Sequence, residues 1–172
     1  DMAGLALKAD EIMTAAGLYA PLDGMNEKGL AVAVNMIQDA AEIDQDTEKP
    51  DITTTTAVRL LLDKAGTVEE ALELLGRYDL HASMGMMVHL AVADASGNSV
   101  AVEYIGNKMA VTETPAVTNF YLTEGEKYGI GTKQSHERYD ILMDFLKENP
   151  VVDEEKVRDA LDRVSKDNSV SY

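Results

Sequence analysis

Residues 23–35 of the chain read DGMNEKGLAVAVN, and this stretch combines a polar turn with a buried strand. Its first half, DGMN, is rich in residue types that favour turns, and Gly29 permits backbone angles that other residues avoid. Residues 30–34 then form an uninterrupted apolar run, which is typical of a strand covered on both faces. Asn35 ends the run with an amide that both donates and accepts hydrogen bonds. By itself the pattern indicates a loop followed by a core strand.

Length and composition suit one globular domain, and we expect residues 1–172 to form a single domain. The chain has 15 Lys and Arg against 31 Asp and Glu, a net charge of -16, which disfavours binding to nucleic acid and to anionic membranes. It lacks an apolar run long enough for a transmembrane helix. We therefore expect a soluble protein, with the cytoplasm favoured and export left open because the sequence does not begin with Met.

The chain contains no Cys, which removes disulfides, thiolate metal sites and a cysteine nucleophile from these residues. An acidic run, IQDAAEIDQDTEKPD, occupies residues 37–51, and its alternating Asp44, Asp46 and Glu48 could face a hard cation. The glycine and the terminal glutamate of a calcium-binding loop are absent, however, so a solvated loop is the preferred interpretation. We predict neither a metal nor a cofactor.

Helix signals follow the acidic run. Thr53 and its neighbours can cap a helix whose apolar face includes Ala57 and Leu61, with Arg59 on the surface. Thr67 and Glu70 fit a capping box that opens a second helix, which Gly76 ends. Later in the chain Ser135 is the expected cap of a third helix. Asp153 is expected to start a fourth, whose inward face is Val157, Ala160, Leu161 and Val164.

Between the two helix pairs the pattern predicts four short strands, at residues 88–93, 100–104, 109–111 and 117–119. Consecutive short strands joined by turns indicate an antiparallel meander. The chain is therefore predicted to be α+β, with helices packed on antiparallel sheet. We expect the polar residues 165–172 to form a disordered tail.

Polar residues in these elements offer few catalytic groupings. His89, on a strand among apolar neighbours, is interpreted as a core residue with satisfied hydrogen bonds. Asp94 and Glu103 are expected at an aqueous turn and a strand edge, and not as a catalytic carboxylate pair. A triad of Ser135, His136 and Asp140 is not expected, because neighbouring helical residues point in different directions and no glycine-flanked elbow surrounds the serine.

Five segments, in order, resemble the choloylglycine hydrolase family of linear amide C–N hydrolases, which includes bile salt hydrolases and penicillin V acylases. The resemblance covers roughly residues 22–146. The segments are DGMNEKGLAVAVN at 23–35, TTTTAVRLLLDKAGTVEEALELL at 53–75, VHLAVADASGNSVAVE at 88–103, AVTNFYL at 116–122 and SHERYDIL at 135–142.

The resemblance implies an N-terminal-nucleophile fold, a four-layer αββα sandwich of antiparallel sheets flanked by helices, of which this chain would supply part. The family's nucleophile is an N-terminal Cys whose free amine acts as the base. No Cys is present here, so the sequence is expected to be an internal fragment of such a hydrolase or a divergent chain that has lost the chemistry. A sheet without its first strands would expose an edge, so a homo-oligomer or pairing with a missing segment is also expected.

The resemblance also implies three site residues. Asn119, in VTN, matches the family's oxyanion-hole Asn, and Arg138, in SHER, matches its Arg near the nucleophile. Asn35 is the candidate for the family's other site Asn, although an alignment without gaps places that residue at Met36. A one-residue slip on a strand would reverse the face of the side chain.

Three interpretations of function remain open. In the first, the chain is a fragment of a bacterial amidase that acts on small N-acyl amides such as conjugated bile acids, penicillins or acyl-homoserine lactones. Alternatively, it is a catalytically inactive module that binds acyl amides. The third interpretation is an acidic scaffold or interaction protein, and it predicts that Asn119 and Arg138 lie apart in space.

Overall fold

A computed structural model describes residue 17, residues 19–83 and residues 85–165 of the chain. The described residues form seven strands and four helices, which confirms the prediction of an α+β fold. The elements are β1 Asp23–Met25, β2 Ala31–Met36, β3 Asp51–Thr53, α1 Thr54–Lys64, α2 Val68–Leu75, β4 Asp79–His81, β5 Val88–Ala93, β6 Ser99–Ile105, β7 Lys108–Glu113, α3 Lys133–Glu148 and α4 Glu154–Val164.

Five strands form the central sheet in the order β1-β2-β5-β6-β7, and every neighbouring pair is antiparallel. The predicted strand at residues 30–34 is β2, which extends through Asn35 to Met36. In register, Val32 lies opposite Val92, and Val92 lies opposite Val100. Because side chains alternate along a strand, these valines share one face of the sheet.

That valine face is covered by α1 and α2, whose predicted caps are confirmed. The Thr53 side chain accepts a hydrogen bond from the Thr56 amide, and the Thr67 side chain accepts one from the Glu70 amide. Ala57 and Leu61 are fully buried against the sheet. The larger of the two buried apolar clusters lies between these helices and the sheet. Burial of one leucine side chain contributes about 1.5–3 kcal/mol to stability.

The opposite face of the sheet is only partly covered within the described residues. Ala101, Phe120 and Leu122 form a small apolar cluster there, against which Tyr139 of α3 packs. Ala31 and Ala33 of β2 remain half-buried. Strand β2 was expected to be covered on both faces. Within the described residues, only the face toward the helices is fully covered.

Residues 117–119 do not form the predicted fourth strand. The carbonyl of Thr118 faces the His89 ring, its hydroxyl donates to the carbonyl of Ser135, and the Asn119 side chain binds elsewhere. Side chains therefore satisfy polar groups that a strand would pair with a neighbouring strand. Among the described strands, β7 consequently has one unpaired edge.

The two C-terminal helices also differ from expectation. Helix α3 is capped by Thr132, whose side chain accepts from the Ser135 amide, so Ser135 lies in the first turn and is not the cap. Asp153 caps α4 as predicted. The predicted inward face of α4 is wrong, because Val157 is 46% exposed and Leu161 59% exposed. This helix packs against α3 and not against the sheet.

Strands β3 and β4 pair in parallel as a separate two-stranded sheet, which the sequence did not predict. In the part of the chain that the structure describes, no helix is long and apolar enough to cross a bilayer. The predicted disordered tail falls almost entirely on residues 166–172, outside the described residues.

Candidate active site

Asn119 and Arg138 meet at the end of strand β2. A terminal guanidinium nitrogen of Arg138 donates to Oδ1 of Asn119 at 2.7 Å. The Asn119 Nδ2 donates to the backbone carbonyl of Met36, also at 2.7 Å. Because an amide oxygen only accepts and an amide nitrogen only donates, these two contacts fix which way the Asn119 amide points. One of the two Nδ2 hydrogens remains for a further acceptor.

Arg138 has unused donor capacity at the same place. The residue is half-buried, yet its Nε is fully buried and has no hydrogen-bond partner within the described residues. A buried donor left without an acceptor costs about 1–3 kcal/mol. Nor does Arg138 form an ion pair with any described carboxylate. The site therefore holds a positive charge that is fixed by the contact with Asn119, and a buried N–H beside it has no acceptor among the described residues.

Asn35 lies on the sheet close to these two residues. It pairs in register with His89 of β5, so both side chains project from the sheet face opposite α1. Met36 is the next residue, and its side chain is therefore on the helix side, 51% exposed. Of the two positions that the sequence left open for the second site Asn, residue 35 shares a face with His89 and residue 36 does not. Within the described residues, the Asn35 side chain makes no hydrogen bond.

Beneath Asn119, His89 and Glu103 form a fully buried pair. Both side chains are 0% exposed, and His89 Nδ1 lies 2.9 Å from Glu103 Oε1. His89 Nε2 faces the Thr118 carbonyl at 2.6 Å, which confirms the prediction of a core histidine with satisfied hydrogen bonds. The expected exposed position of Glu103 is wrong, because β7 and residues 118–123 cover it.

Backbone amides complete the surroundings of Glu103. Oε1 accepts from the Leu122 amide at 2.9 Å, and Oε2 accepts from the Thr123 amide at 2.7 Å. Burial alone would raise the pKa of Glu103, but the hydrogen bonds from His89, Thr123 and Leu122 outweigh it and lower that pKa. Glu103 is therefore a carboxylate that holds several donors in place.

Asp94 was also expected in an aqueous turn. It lies in that turn but is only 9% exposed. Its side chain accepts from the Val68 amide at 3.0 Å and from the Ser96 amide at 2.9 Å, which joins the β5–β6 turn to the start of α2. The hydrogen bond from the Val68 amide is the main reason why the pKa of Asp94 is lowered. This residue stabilises the fold and does not contact Glu103.

His136 does not form a catalytic group with its sequence neighbours. The His136 ring stacks on Phe120 with centroids 4.0 Å apart, and its Nε2 faces the Gly129 carbonyl. The Ser135 hydroxyl pairs with Thr132 instead, so the triad with Asp140 is not formed. Among the described residues, no cluster of three or more His, Cys, Asp or Glu side chains could hold a metal ion.

Sequence analysis missed one contact that borders the site. Asp39, in the acidic run, accepts from the Tyr121 hydroxyl at 3.0 Å and from Lys127 Nζ at 2.8 Å. The hydrogen bond from Lys127 lowers the pKa of Asp39, against the opposing effect of burial. This contact joins the segment after β2 to the segment after Asn119. No local signal distinguishes Asp39 from the solvated carboxylates beside it.

Comparison with known proteins identifies the family. A family model described as "Linear amide C-N hydrolases, choloylglycine hydrolase family" matches residues 12–156. A curated relative, penicillin V acylase of Pectobacterium atrosepticum, is 28% identical over 105 residues, which cover 55% of this chain and 28% of the relative.

Solved structures share the fold. The penicillin V acylase from Agrobacterium tumefaciens aligns with a TM-score of 0.60 and 23% identity, covering 90% of this chain and 55% of that protein. A mutant of the conjugated bile acid hydrolase from Clostridium perfringens aligns with a TM-score of 0.66 and 19% identity, covering 86% of this chain and 60% of that one. The chain thus spans little more than half the length of these solved relatives. From the family match and the shared fold, the chain belongs to the choloylglycine hydrolase family of linear amide C–N hydrolases.

Proposed function

We propose that the protein carrying this chain hydrolyses the amide bond of small N-acyl amides, and that Asn119 and Arg138 belong to its active site. Family membership supports the reaction class. The observation that carries the proposal for these residues is their direct hydrogen bond, which leaves an Asn119 N–H and the buried Arg138 Nε without acceptors among the described residues. Free donors on fixed side chains are what a reaction that develops negative charge requires.

The reaction needs a nucleophile that these residues do not contain. Under the proposal, an N-terminal Cys outside this sequence supplies a thiolate, and its own amine acts as the base. The sulfur attacks the amide carbon, the C–N bond breaks, and the amine leaves with the proton that the base held. Water then hydrolyses the thioester and releases the carboxylic acid.

Asn119 has the role of oxyanion donor in this mechanism. When the thiolate attacks, the carbonyl oxygen becomes negative, and the free Nδ2 hydrogen of Asn119 can donate to it. A single such donor lowers the barrier by about 2.7–4 kcal/mol. The contact with the Met36 carbonyl holds Nδ2 in place before substrate arrives, so little reorganisation is needed at the moment of reaction.

Arg138 acts on the nucleophile and on Asn119. A fixed positive charge beside a thiol favours its thiolate form, which is the reactive species. Through its bond to Oδ1, Arg138 also prevents the Asn119 amide from turning over and presenting its oxygen to the oxyanion. We assign Asn35 as a second amide lining the site, because strand register places it on the sheet face of His89.

The alternatives differ in what they predict for the same residues. An acidic scaffold predicted Asn119 and Arg138 to lie apart, and their hydrogen bond argues against it. A module that binds acyl amides without turnover would use the same donors, so only activity separates it from the amidase. A homo-oligomer, or pairing of an exposed sheet edge with a missing segment, remains a prediction, and so does a cytoplasmic location.

The test is amine release from a panel of N-acyl amides by the full-length protein and by its Asn119→Ala variant. We expect kcat to fall by about 10²–10³-fold, because one oxyanion donor is removed. Arg59→Ala is the surface control. Arg59 is a half-exposed arginine paired with Asp63 on helix α1, which covers the sheet face opposite Asn35. Equal rates for Asn119→Ala and the wild type would refute the assignment of Asn119. Binding without hydrolysis by the wild type would favour the inactive module.

A further inference from the structure

Residues 118–123, which carry Asn119, are held from two sides by the buried pair His89 and Glu103. We propose that this pair is a positioning device that sets the direction of the Asn119 amide. This inference rests on the proposed function for its catalytic meaning, while its structural part can be tested without any substrate. His89 and Glu103 lie on β5 and β6, two neighbouring inner strands of the sheet, so the device is anchored on rigid elements.

The contacts of the pair account for all of its polar side-chain atoms. His89 Nε2 faces the Thr118 carbonyl, which can only accept, and Nδ1 faces Glu103 Oε1. Both oxygens of Glu103 also receive backbone amides, from Leu122 and Thr123. With an oxygen at each ring nitrogen and a backbone amide at each carboxylate oxygen, every polar side-chain atom of the pair has a hydrogen-bond partner. A buried polar pair stabilises its surroundings when all of its hydrogen-bonding groups are satisfied, as they are here.

The device fixes the backbone on both sides of Asn119. Thr118 precedes Asn119 directly, and its carbonyl belongs to the peptide group that joins the two residues. Because a trans peptide group is planar, holding that carbonyl against His89 also sets the opposite direction of the Asn119 N–H. Downstream, the amides of Leu122 and Thr123 are held by Glu103. These contacts restrict the backbone around Asn119 and so fix the point from which its side chain reaches the Met36 carbonyl and Arg138.

The same device reaches Arg138 through Thr118. The Thr118 hydroxyl donates to the carbonyl of Ser135 at 2.9 Å, in the first turn of α3, and Arg138 lies one turn further along that helix. Within the described part of the chain, residues 117–119 have no strand partner, and Thr118 and Asn119 contact helix α3 through their side chains. Loss of the Glu103 charge should therefore disturb both ends of the bond between Asn119 and Arg138.

The structural experiment compares Glu103→Gln with Asp79→Asn in the full-length protein by NMR. Asp79 is the matched control, because it is a 1% exposed carboxylate that accepts two backbone amides, from Thr47 and Lys49, away from the site. In Glu103→Gln we expect the Asn119 side-chain amide signals to move and the Leu122 and Thr123 amides to exchange about tenfold faster or more. Asp79→Asn should change neither. Unchanged Asn119 signals in folded Glu103→Gln would overturn the proposal.

A second measurement needs no variant and applies even if Glu103→Gln fails to fold. It is amide hydrogen exchange in the wild-type full-length protein. The Leu122 and Thr123 amides should exchange far more slowly than amides of the exposed loop at residues 124–126. Exchange as fast as in that loop would equally overturn the device.

The catalytic experiment uses the full-length protein. We expect Glu103→Gln to lower kcat by about 10²-fold with little change in KM, because a small misplacement of a catalytic group is costly while substrate binding is retained. Asp79→Asn should keep the wild-type kcat. If the wild type hydrolyses no N-acyl amide but the Asn119 signals still move in Glu103→Gln, the proposed function fails and the positioning device stands. If hydrolysis occurs and Glu103→Gln matches the wild type, the device fails and the function stands.

Discussion

Individual residues show where local pattern predicts a role and where it does not. Asn119 and Arg138 were predicted from short matched segments, and the fold brings their side chains within 2.7 Å although 19 positions separate them. Glu103 was predicted at an exposed edge, since a carboxylate on a strand normally faces water. Its partners are His89 and residues 122–123, which lie 14 to 20 positions away in the sequence. A local sequence pattern therefore does not predict its burial.

His81 gives a test at the level of one residue. It lies between two carboxylates, with Nδ1 2.8 Å from Asp44 and Nε2 3.2 Å from Asp51. The hydrogen bond with Asp44 is the main reason why the pKa of His81 is raised above its ordinary value of 6.5. A raised folded-state pKa means that the stabilisation is fully present below pH 6.5 and is lost as pH rises through the higher folded-state value.

We therefore expect the urea concentration at the unfolding midpoint to be higher for the wild type than for His81→Gln at acidic pH. This difference should shrink as the pH rises. The measurement is urea unfolding between about pH 5.5 and about pH 8.5, where the carboxylates stay ionised and the imidazole titrates. Asp46→Asn serves as the control, because Asp46 is an acidic neighbour without a contact to His81. A difference that stays constant across this range would contradict the predicted role of His81.

At the level of elements, the turn before β2 is tied to helix α1 by Asn26. Its Nδ2 donates to the carbonyls of Leu62 and Ala65 at 2.9 and 2.7 Å, which satisfies free carbonyls at the end of α1. Its Oδ1 accepts from the amides of Lys28 and Leu30. All four hydrogen-bonding positions of the amide are thus in use, which explains why the stretch at residues 23–35 organises the fold.

Asn26→Asp tests this link. The substitution replaces the donating nitrogen by a carboxylate oxygen that faces two carbonyls, so we expect a loss of about 2–4 kcal/mol in the free energy of unfolding. Gln38→Glu is the control, because it adds the same charge at an exposed position nearby in the sequence. Denaturant unfolding of both variants measures the effect. Similar stability of Asn26→Asp and Gln38→Glu would show that the link does not hold the two elements together.

The elements also show why some structure could be predicted and some could not. Helices α1 and α2 and the β5–β6 hairpin carry caps, periodic apolar residues and turn residues within their own sequence, and all were predicted. Strands β3 and β4 are three residues each and pair in parallel across two helices, so no local signal announces them. The start of α3 was misplaced because Thr132 and Ser135 are both good caps, and only the fold selects Thr132.

At the scale of the whole molecule, the described residues form a five-stranded sheet, one face of which is covered by helices α1 and α2. The opposite face carries half-buried alanines, Ala31, Ala33 and Ala91, around a shallow depression. The resemblance to the family implies a second sheet in a four-layer sandwich, and that layer remains an expectation for this protein. Asn119 and Arg138 meet at the end of β2, and under the proposed function the nucleophile reaches them there from outside the described residues.

The central claim is that a cysteine outside these residues reacts at the site that Asn119 and Arg138 form. The most direct measurement is the intact mass of the full-length protein, with N-terminal sequencing, before and after incubation with an N-acyl amide. We predict a protein heavier than 18.7 kDa that begins with Cys and gains the mass of one acyl group. Asn119→Ala should gain it much more slowly. A species of 18.7 kDa that begins with Asp1 and gains no acyl group would contradict the account.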